Sequence, residues 1–176
     1  MPVVIYNFPG VVAGLDTNSD ILSVLGAHPN IVGVKLTCGG IGKVARIRAQ
    51  YNPSEFCALA GQSDWLLPAM TVGGIGSITG VANVFPKTCI ALYELSRKGL
   101  LKEAMETQLE IAKMEWGFLK GGINGTKWIV AKVRGYPSQS SRCRAPYPRY
   151  DDPPKQKWII DTVTPLQTLE NTYSTF

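Results

Sequence analysis

The chain has 176 residues, which is enough for one domain with a substantial core and too few for two large ones. Hydrophobic residues make up 45% of the chain and charged residues 18%, so the composition is globular and excludes extensive disorder. No apolar run approaches the ~20 residues that a membrane helix needs. The first residues carry neither a basic segment nor a cleavage site, so no signal peptide is indicated.

The net charge of +5 is concentrated near the end of the chain. Residues 127–157 have a balance of +6, which leaves the rest at −1. A basic tail with interleaved aromatic residues is one feature of nucleic-acid binding, but here prolines scatter the charges and no known binding module is matched. We therefore expect a solvated, partly irregular tail and no nucleic-acid partner.

The number and spacing of the cysteines indicate reduced thiols. Their separations of 19, 32 and 54 residues fit neither a zinc ribbon nor a redox CxxC pair. Four cysteines are also few for a disulfide-stapled secreted fold. The four residues are Cys38, Cys57, Cys89 and Cys143.

Four short apolar runs, each followed by a turn and a helical stretch, occupy residues 1–99. The runs cover residues 3–6, 31–36, 56–60 and 76–81. Continuous apolar runs predict strands that are covered on both faces, and their alternation with helices predicts parallel pairing. The sequence therefore predicts an α/β fold with four βα units.

Residues 100–176 are predicted to form a helical extension with a proline-rich basic tail. Apolar residues recur there at helical spacing and predict one buried helix face: Leu101, Met105, Leu109, Ala112, Trp116 and Leu119. Glu103, Glu106 and Glu110 lie on other faces and indicate a solvated surface, not a catalytic pair. Further helices are predicted over residues 126–133 and after Pro154.

The chain lacks the residues of several common active sites. His28 is the only histidine, which argues against Ser-His-Asp catalysis and histidine-rich metal sites. Residues 61–65 lack the final glycine of a nucleophile elbow. The glycines of residues 73–80 precede an apolar run instead of following one, so they fit neither a Walker nor a dinucleotide-binding motif.

Lys35 does not fit a purely structural account of its strand. It lies within the second apolar run, where a buried ammonium would tend to lose its proton and become a nucleophile for carbonyl groups. Tyr6 ends the first run, and the carboxyl ends of parallel strands are where function gathers. The alternatives are a strand-end lysine that reaches solvent and a tyrosine that belongs to the core.

Four motifs then occur in an order that resembles one family. They are Tyr6-Asn7-Phe8-Pro9, Gly33-Val34-Lys35-Leu36-Thr37, Ala60-Gly61-Gln62-Ser63-Asp64 and Gly73-Gly74-Ile75-Gly76-Ser77-Ile78. Together they resemble the dihydrodipicolinate synthase/N-acetylneuraminate lyase family of class I pyruvate aldolases. The chain is most similar to fungal members that act as 2-keto-3-deoxy sugar acid or 4-hydroxy-2-oxoglutarate aldolases.

The resemblance implies a fold, a reaction and a set of site residues. It implies a (β/α)8 barrel in which Lys35 forms a Schiff base with pyruvate or another 2-keto acid and Tyr6 shuttles protons. Its implied substrate-binding residues are Thr37, Gly61, Ser63 and Ile78. No metal or organic cofactor is expected because the imine itself accepts electrons. The full-length form is expected to be a homo-oligomer.

The chain covers only part of such a barrel, which takes ~250 residues. It starts where the family's fifth strand is expected, so we predict the C-terminal half of the barrel, strands five to eight, with little or no activity alone. Dihydrodipicolinate synthase-like activity is an alternative, as is a non-catalytic half-barrel that binds a partner or a 2-keto acid. The expected location is cytoplasmic, or mitochondrial if a targeting segment lies in the missing half.

Overall fold

A computed structural model describes residues 1–173, so the last three residues of the predicted extension lie outside the described part. Three parallel strands form one sheet in the order β1-β2-β3: β1 (Val3–Asn7), β2 (Ile31–Leu36) and β3 (Cys57–Ala60). Helices α1 (Ser19–Gly26) and α2 (Ile41–Gln50) make the two crossovers. This arrangement confirms the predicted α/β class.

The fourth predicted strand, residues 76–81, is wrong as an element. Only an isolated bridge joins Ser77 to Ala60, although Ile75 N and Ile78 N donate to β3 carbonyls at 3.0 Å. Gly76 has φ +152°, and Gly80 takes helical angles, so the extended conformation is interrupted at both. The chain then turns through a 3₁₀ helix at Val81–Asn83.

The sheet is covered on one face only, which corrects the expectation of strands buried on both. Val34 and Leu36 of β2 pack with Leu22 of α1 and Val44 of α2 in a core on the helical side. On the opposite face, Tyr6 of β1 is 52% exposed. The open face is therefore where side chains of the strand ends reach solvent.

The remaining helices form a second, larger core. They are α3 (Leu66–Thr71), α4 (Pro86–Arg97), α5 (Leu101–Val133) and α6 (Pro153–Thr172), with short 3₁₀ turns at Pro9–Val11 and Ser138–Ser141. Helix α5 is interrupted at Gly122, where φ is +59° and ψ −162°, so the helix predicted over residues 126–133 is its second part.

Two devices attach α6 to this core. Gly121 and Gly125 of α5 let Ile159 approach so closely that an added Cβ would lie 2.6 and 2.8 Å from its Cδ1. At the other end, the buried Glu170 carboxylate accepts from the backbone N–H groups of Lys87 and Thr88 at 3.1 and 2.8 Å. Those are free N–H groups of the first turn of α4, so Glu170 caps that helix.

The predicted buried face of α5 is wrong. Its apolar stripe is exposed, and only Ala112 is partly buried: Leu101, Met105, Leu109, Trp116 and Leu119 all show 40% or more of their surface. The face that packs inward carries Ile111, Met114 and Phe118 together with polar Gln108 and Glu115. Periodicity identified the helix and misassigned its orientation, because a second apolar row runs beside the first.

Within residues 1–173, no helix combines the length and the apolar character needed to cross a membrane. The four cysteines are free in the structure.

Candidate active site

The register of β1 and β2 brings Tyr6 and Lys35 together. The two residues are paired across the strands, and Lys35 Nζ lies 4.0 Å from the centroid of the Tyr6 ring. Lys35 is partly exposed on the open face of the sheet instead of buried within it, and it forms no ion pair with the described residues. An amine held beside a phenol is thus accessible to a small molecule.

The ends of β2 and β3 approach each other closely just beyond Lys35. Gly61 N donates to Leu36 O at 2.7 Å, and a Cβ at Gly61 would lie only 1.9 Å from Thr37 Oγ1. Glycine is therefore required here for steric reasons. Thr37 Oγ1 is buried and has no hydrogen-bond partner among the described residues, so its hydrogen-bonding capacity is unsatisfied.

One cavity of about 330 Å³ gathers these groups. Four of the six predicted site residues line it: Tyr6, Lys35, Thr37 and Gly61. The opposite wall comes from α5 and includes Glu115, Phe118 and Lys127. Such a mixed apolar and polar cavity with a primary amine suits a small acid that carries a carbonyl group.

The other two predicted residues do not line this cavity. Ser63 is fully buried, and its hydroxyl donates to Glu115 instead of pointing at a ligand. Ile78 follows Ser77, the residue bridged to β3, and its side chain is half exposed to solvent outside this cavity. The structure thus brings together the strand-end residues and places Ser63 one layer behind the wall.

Two buried polar residues of α5 were missed in the sequence. Glu115 Oε2 accepts from Ser63 N at 2.9 Å, from Ser63 Oγ and from Thr79 Oγ1 at 3.1 Å. Gln108 Nε2 donates to Ser63 O at 2.8 Å, and its Oε1 accepts from Leu67 N at 2.8 Å. The one sequence feature that could have indicated them is their spacing. Gln108 and Glu115 are seven residues apart, which places both on one helix face beside a row of apolar residues.

The loop after β1 is fixed by a second network. Asn7 Nδ2 donates to Asp16 at 2.8 Å, and Thr17 N donates back to Asn7 Oδ1 at 3.1 Å. Lys43 of α2 forms an ion pair with Asp16, and this pair together with Asn7 holds the pKa of the Asp16 carboxyl below its usual range. The network orders the turn that follows Tyr6.

A separate apolar cavity of about 380 Å³ lies between β3 and α4, bordered by Leu59, Ile90 and Cys89. Burial, followed by the charges of Glu115 and Glu170, raises the pKa of the Cys89 thiol to about 12. That thiol is therefore a poor nucleophile at neutral pH, and this cavity offers no competing reactive group of that kind.

No cluster of three or more histidine, cysteine or acidic residues able to hold a metal occurs in the described part of the chain. Independence from cofactors stays a prediction.

Comparison with known proteins gives consistent matches. Among curated proteins, the chain is 46% identical over 147 residues to one from Emericella nidulans named probable 4-hydroxy-2-oxoglutarate aldolase, mitochondrial, covering 83% of this chain and 47% of that protein. It is 37% identical over 143 residues to the L-threo-3-deoxy-hexylosonate aldolase of Hypocrea jecorina, covering 77% of this chain and 45% of that protein.

A solved structure of a dihydrodipicolinate synthase family protein from Coccidioides immitis superposes with a TM-score of 0.86 at 36% identity, covering 99% of this chain and 57% of that one. The chain thus spans about half the length of the relatives it matches. Residues 1–161 match the Dihydrodipicolinate synthetase family, and the chain belongs to that family.

Proposed function

We propose that this chain is the C-terminal half of a (β/α)8 barrel, strands five to eight, of a class I aldolase that acts on a 2-keto acid. The observation that carries the proposal is the placement of Lys35 beside Tyr6 in one cavity with Thr37 and Gly61. In this proposal the isolated bridge at Ser77 corresponds to the eighth strand. The aldolase names of the relatives support the reaction class.

In the proposed reaction, the neutral amine of Lys35 adds to the keto carbon and water leaves, which forms an imine. Tyr6 donates and accepts the protons of these steps because its phenol lies beside the amine. Loss of the proton from the hydroxyl on C4 of the substrate breaks the C3–C4 bond and releases an aldehyde, while the bonding electrons move into the protonated imine. The resulting enamine then takes up a proton at C3. Hydrolysis then frees pyruvate and regenerates Lys35, so no cofactor is required.

The binding roles divide by position. Thr37 lines the cavity beside Lys35 and is proposed to contact the substrate there. Gly61 forms the part of the cavity wall next to Thr37. Ser63 does not reach the cavity and is proposed to position Glu115, to which its hydroxyl donates. Ile78 is proposed to contact substrate only once the rest of the barrel is in place.

The remaining expectations concern the full-length protein. Its homo-oligomeric state stays a prediction. The name of the Emericella nidulans relative includes a mitochondrial location, which favours mitochondria over the cytoplasm for a full-length form of this protein.

Reductive trapping tests the proposal. The chain is incubated with pyruvate and borohydride, and its intact mass is measured beside Lys35→Ala and the surface control Lys113→Ala. We expect one covalent adduct on the wild type and on Lys113→Ala and none on Lys35→Ala, with circular dichroism to verify folding. Folded wild-type chain without an adduct would contradict catalysis and leave a non-catalytic half-barrel.

A further inference from the structure

Glu115 presents a buried carboxylate to the cavity that contains Lys35. Its side chain is 4% exposed and yet forms part of the cavity wall. All three of its hydrogen bonds reach one oxygen, Oε2, from Ser63 N, Ser63 Oγ and Thr79 Oγ1. The protein therefore fixes this carboxylate rigidly through one half of the group.

The second oxygen, Oε1, has no partner within residues 1–173. No lysine, arginine or histidine of this part of the chain forms an ion pair with Glu115. Oε1 is also absent from the sealed, unpartnered polar atoms, which are Thr37 Oγ1, Asp64 Oδ1 and Trp65 Nε1. It therefore has accessible surface, and because Glu115 lines the cavity, a ligand there can reach this oxygen. No donor of the described residues satisfies it.

A ligand in this cavity can supply that donor only through certain groups. The carboxylate and the carbonyl of a 2-keto acid are acceptors, so they would be repelled by Oε1. A hydroxyl group donates, and a bond to an ionised acceptor is stronger than one between neutral groups. Resting on the proposed imine at Lys35, we infer that Glu115 Oε1 accepts from a substrate hydroxyl, so that the site selects hydroxylated 2-keto acids over unhydroxylated ones.

The role differs from a purely structural one. Holding the Ser63 turn needs only acceptors for Ser63 N and Oγ, and a glutamine at residue 115 retains an oxygen for them. Accepting a hydrogen bond from a substrate hydroxyl needs the second carboxylate oxygen, Oε1, which a glutamine does not have. Glu115→Gln therefore separates the two roles.

The test compares two ligands that differ by one hydroxyl. Dissociation constants of 4-hydroxy-2-oxoglutarate and 2-oxoglutarate are measured by calorimetry on the 176-residue chain carrying Lys35→Met, which cannot form an imine. We expect the hydroxylated acid to bind about tenfold more tightly. Adding Glu115→Gln should reduce that preference to about twofold or less, whereas Glu106→Gln, at an exposed position of α5, should retain it.

Several outcomes would overturn the inference. These are equal affinities in the parent, an unchanged preference in Glu115→Gln, an equal weakening of both acids in that variant, and failure of both acids to bind at millimolar concentration. Because the measurement needs no imine, it stands apart from the trapping experiment. A missing Lys35 adduct contradicts the proposed function, while the hydroxyl preference is decided by binding alone.

Discussion

Lys35 and Tyr6 meet because two parallel strands place them in register at the same edge of the sheet. The strand ends bring the amine, the phenol and Thr37 to one cavity, whose opposite wall comes from α5. Asp64, four residues past the end of β3, is the neighbouring group with an unusual protonation state. Burial and, second, the charge of Glu115 raise its pKa to about 6.

Asp64→Asn should change how the stability of the chain depends on pH. The folded chain binds the Asp64 proton more tightly than the unfolded chain, so the stability that this group contributes is fully present below pH ~4 and is lost as the pH rises through about 6. The variant lacks this loss. The free energy of unfolding of the variant, relative to that of wild type, should therefore be about 1 kcal/mol higher at pH ~7 than at pH ~4. This value is reduced from the full effect of the pKa shift because Asp64 is partly exposed to solvent.

Urea unfolding of the variant and of wild type, each at pH ~4 and pH ~7, measures this change in relative stability. Asp151→Asn, on the surface of the tail, is the control and should behave as wild type does. An Asp64→Asn variant whose stability relative to wild type is the same at both pH values would refute the assignment.

At the scale of elements, α5 holds the turn that follows β3. Gln108 and Glu115, two helical turns apart, bind the backbone and hydroxyl of Ser63. The turn is also pressed against the end of β2, where Gly61 N donates to Leu36 O. The cavity wall between Gly61 and Ser63 is therefore fixed from both sides.

Gly61→Ala should break this arrangement. The added methyl would lie 1.9 Å from Thr37 Oγ1 and 2.5 Å from Leu36 O, and the second of these is backbone that cannot rotate away. We expect a loss of about 1–3 kcal/mol in the free energy of unfolding, together with a lower yield of the pyruvate adduct.

The matched control is Gly80→Ala, because a Cβ there meets nothing closer than 3.7 Å. Denaturant titration of both variants makes the comparison. Equal stability of Gly61→Ala and wild type would show that the close approach of β2 and β3 is not present in solution.

The strand-end residues could be predicted from the sequence because parallel βα units bring their carboxyl ends to one edge. The contact between Ser63 and Glu115 could not, since 52 residues separate them and the exposed stripe of α5 suggested the wrong inward face. The fourth strand was overpredicted because an apolar run signals extended backbone, while Gly76 and Gly80 prevent a continuous ladder.

At the scale of the molecule, the sheet is unfinished. β1 pairs only with β2, and its open-face residues Val4 and Tyr6 are exposed. Within residues 1–173, the far edge at β3 is covered by the bridge to Ser77 and a few backbone hydrogen bonds from residues 75–78, and not by a full strand. Unpaired parallel edges beside apolar side chains favour association between copies of the isolated chain.

Val4→Lys should therefore slow aggregation of the isolated chain by at least about twofold, because a charged residue on an edge strand opposes strand pairing. Light scattering over time at constant concentration measures the rate. Leu15→Lys is the control, since Leu15 is even more exposed but lies in a loop. A Leu15→Lys variant that slows aggregation equally would attribute the effect to net charge and not to the sheet edge.

The most direct test of the central claim identifies which lysine carries the pyruvate adduct. Lys35 is the first lysine or arginine of the chain and Lys43 the next, so unmodified protein yields a tryptic peptide of residues 1–35. Reduced imine at Lys35 blocks that cleavage, so we expect a peptide of residues 1–43 that carries the added mass on Lys35. An adduct confined to other lysines, or distributed evenly among them, would contradict the assignment of Lys35 as the nucleophile.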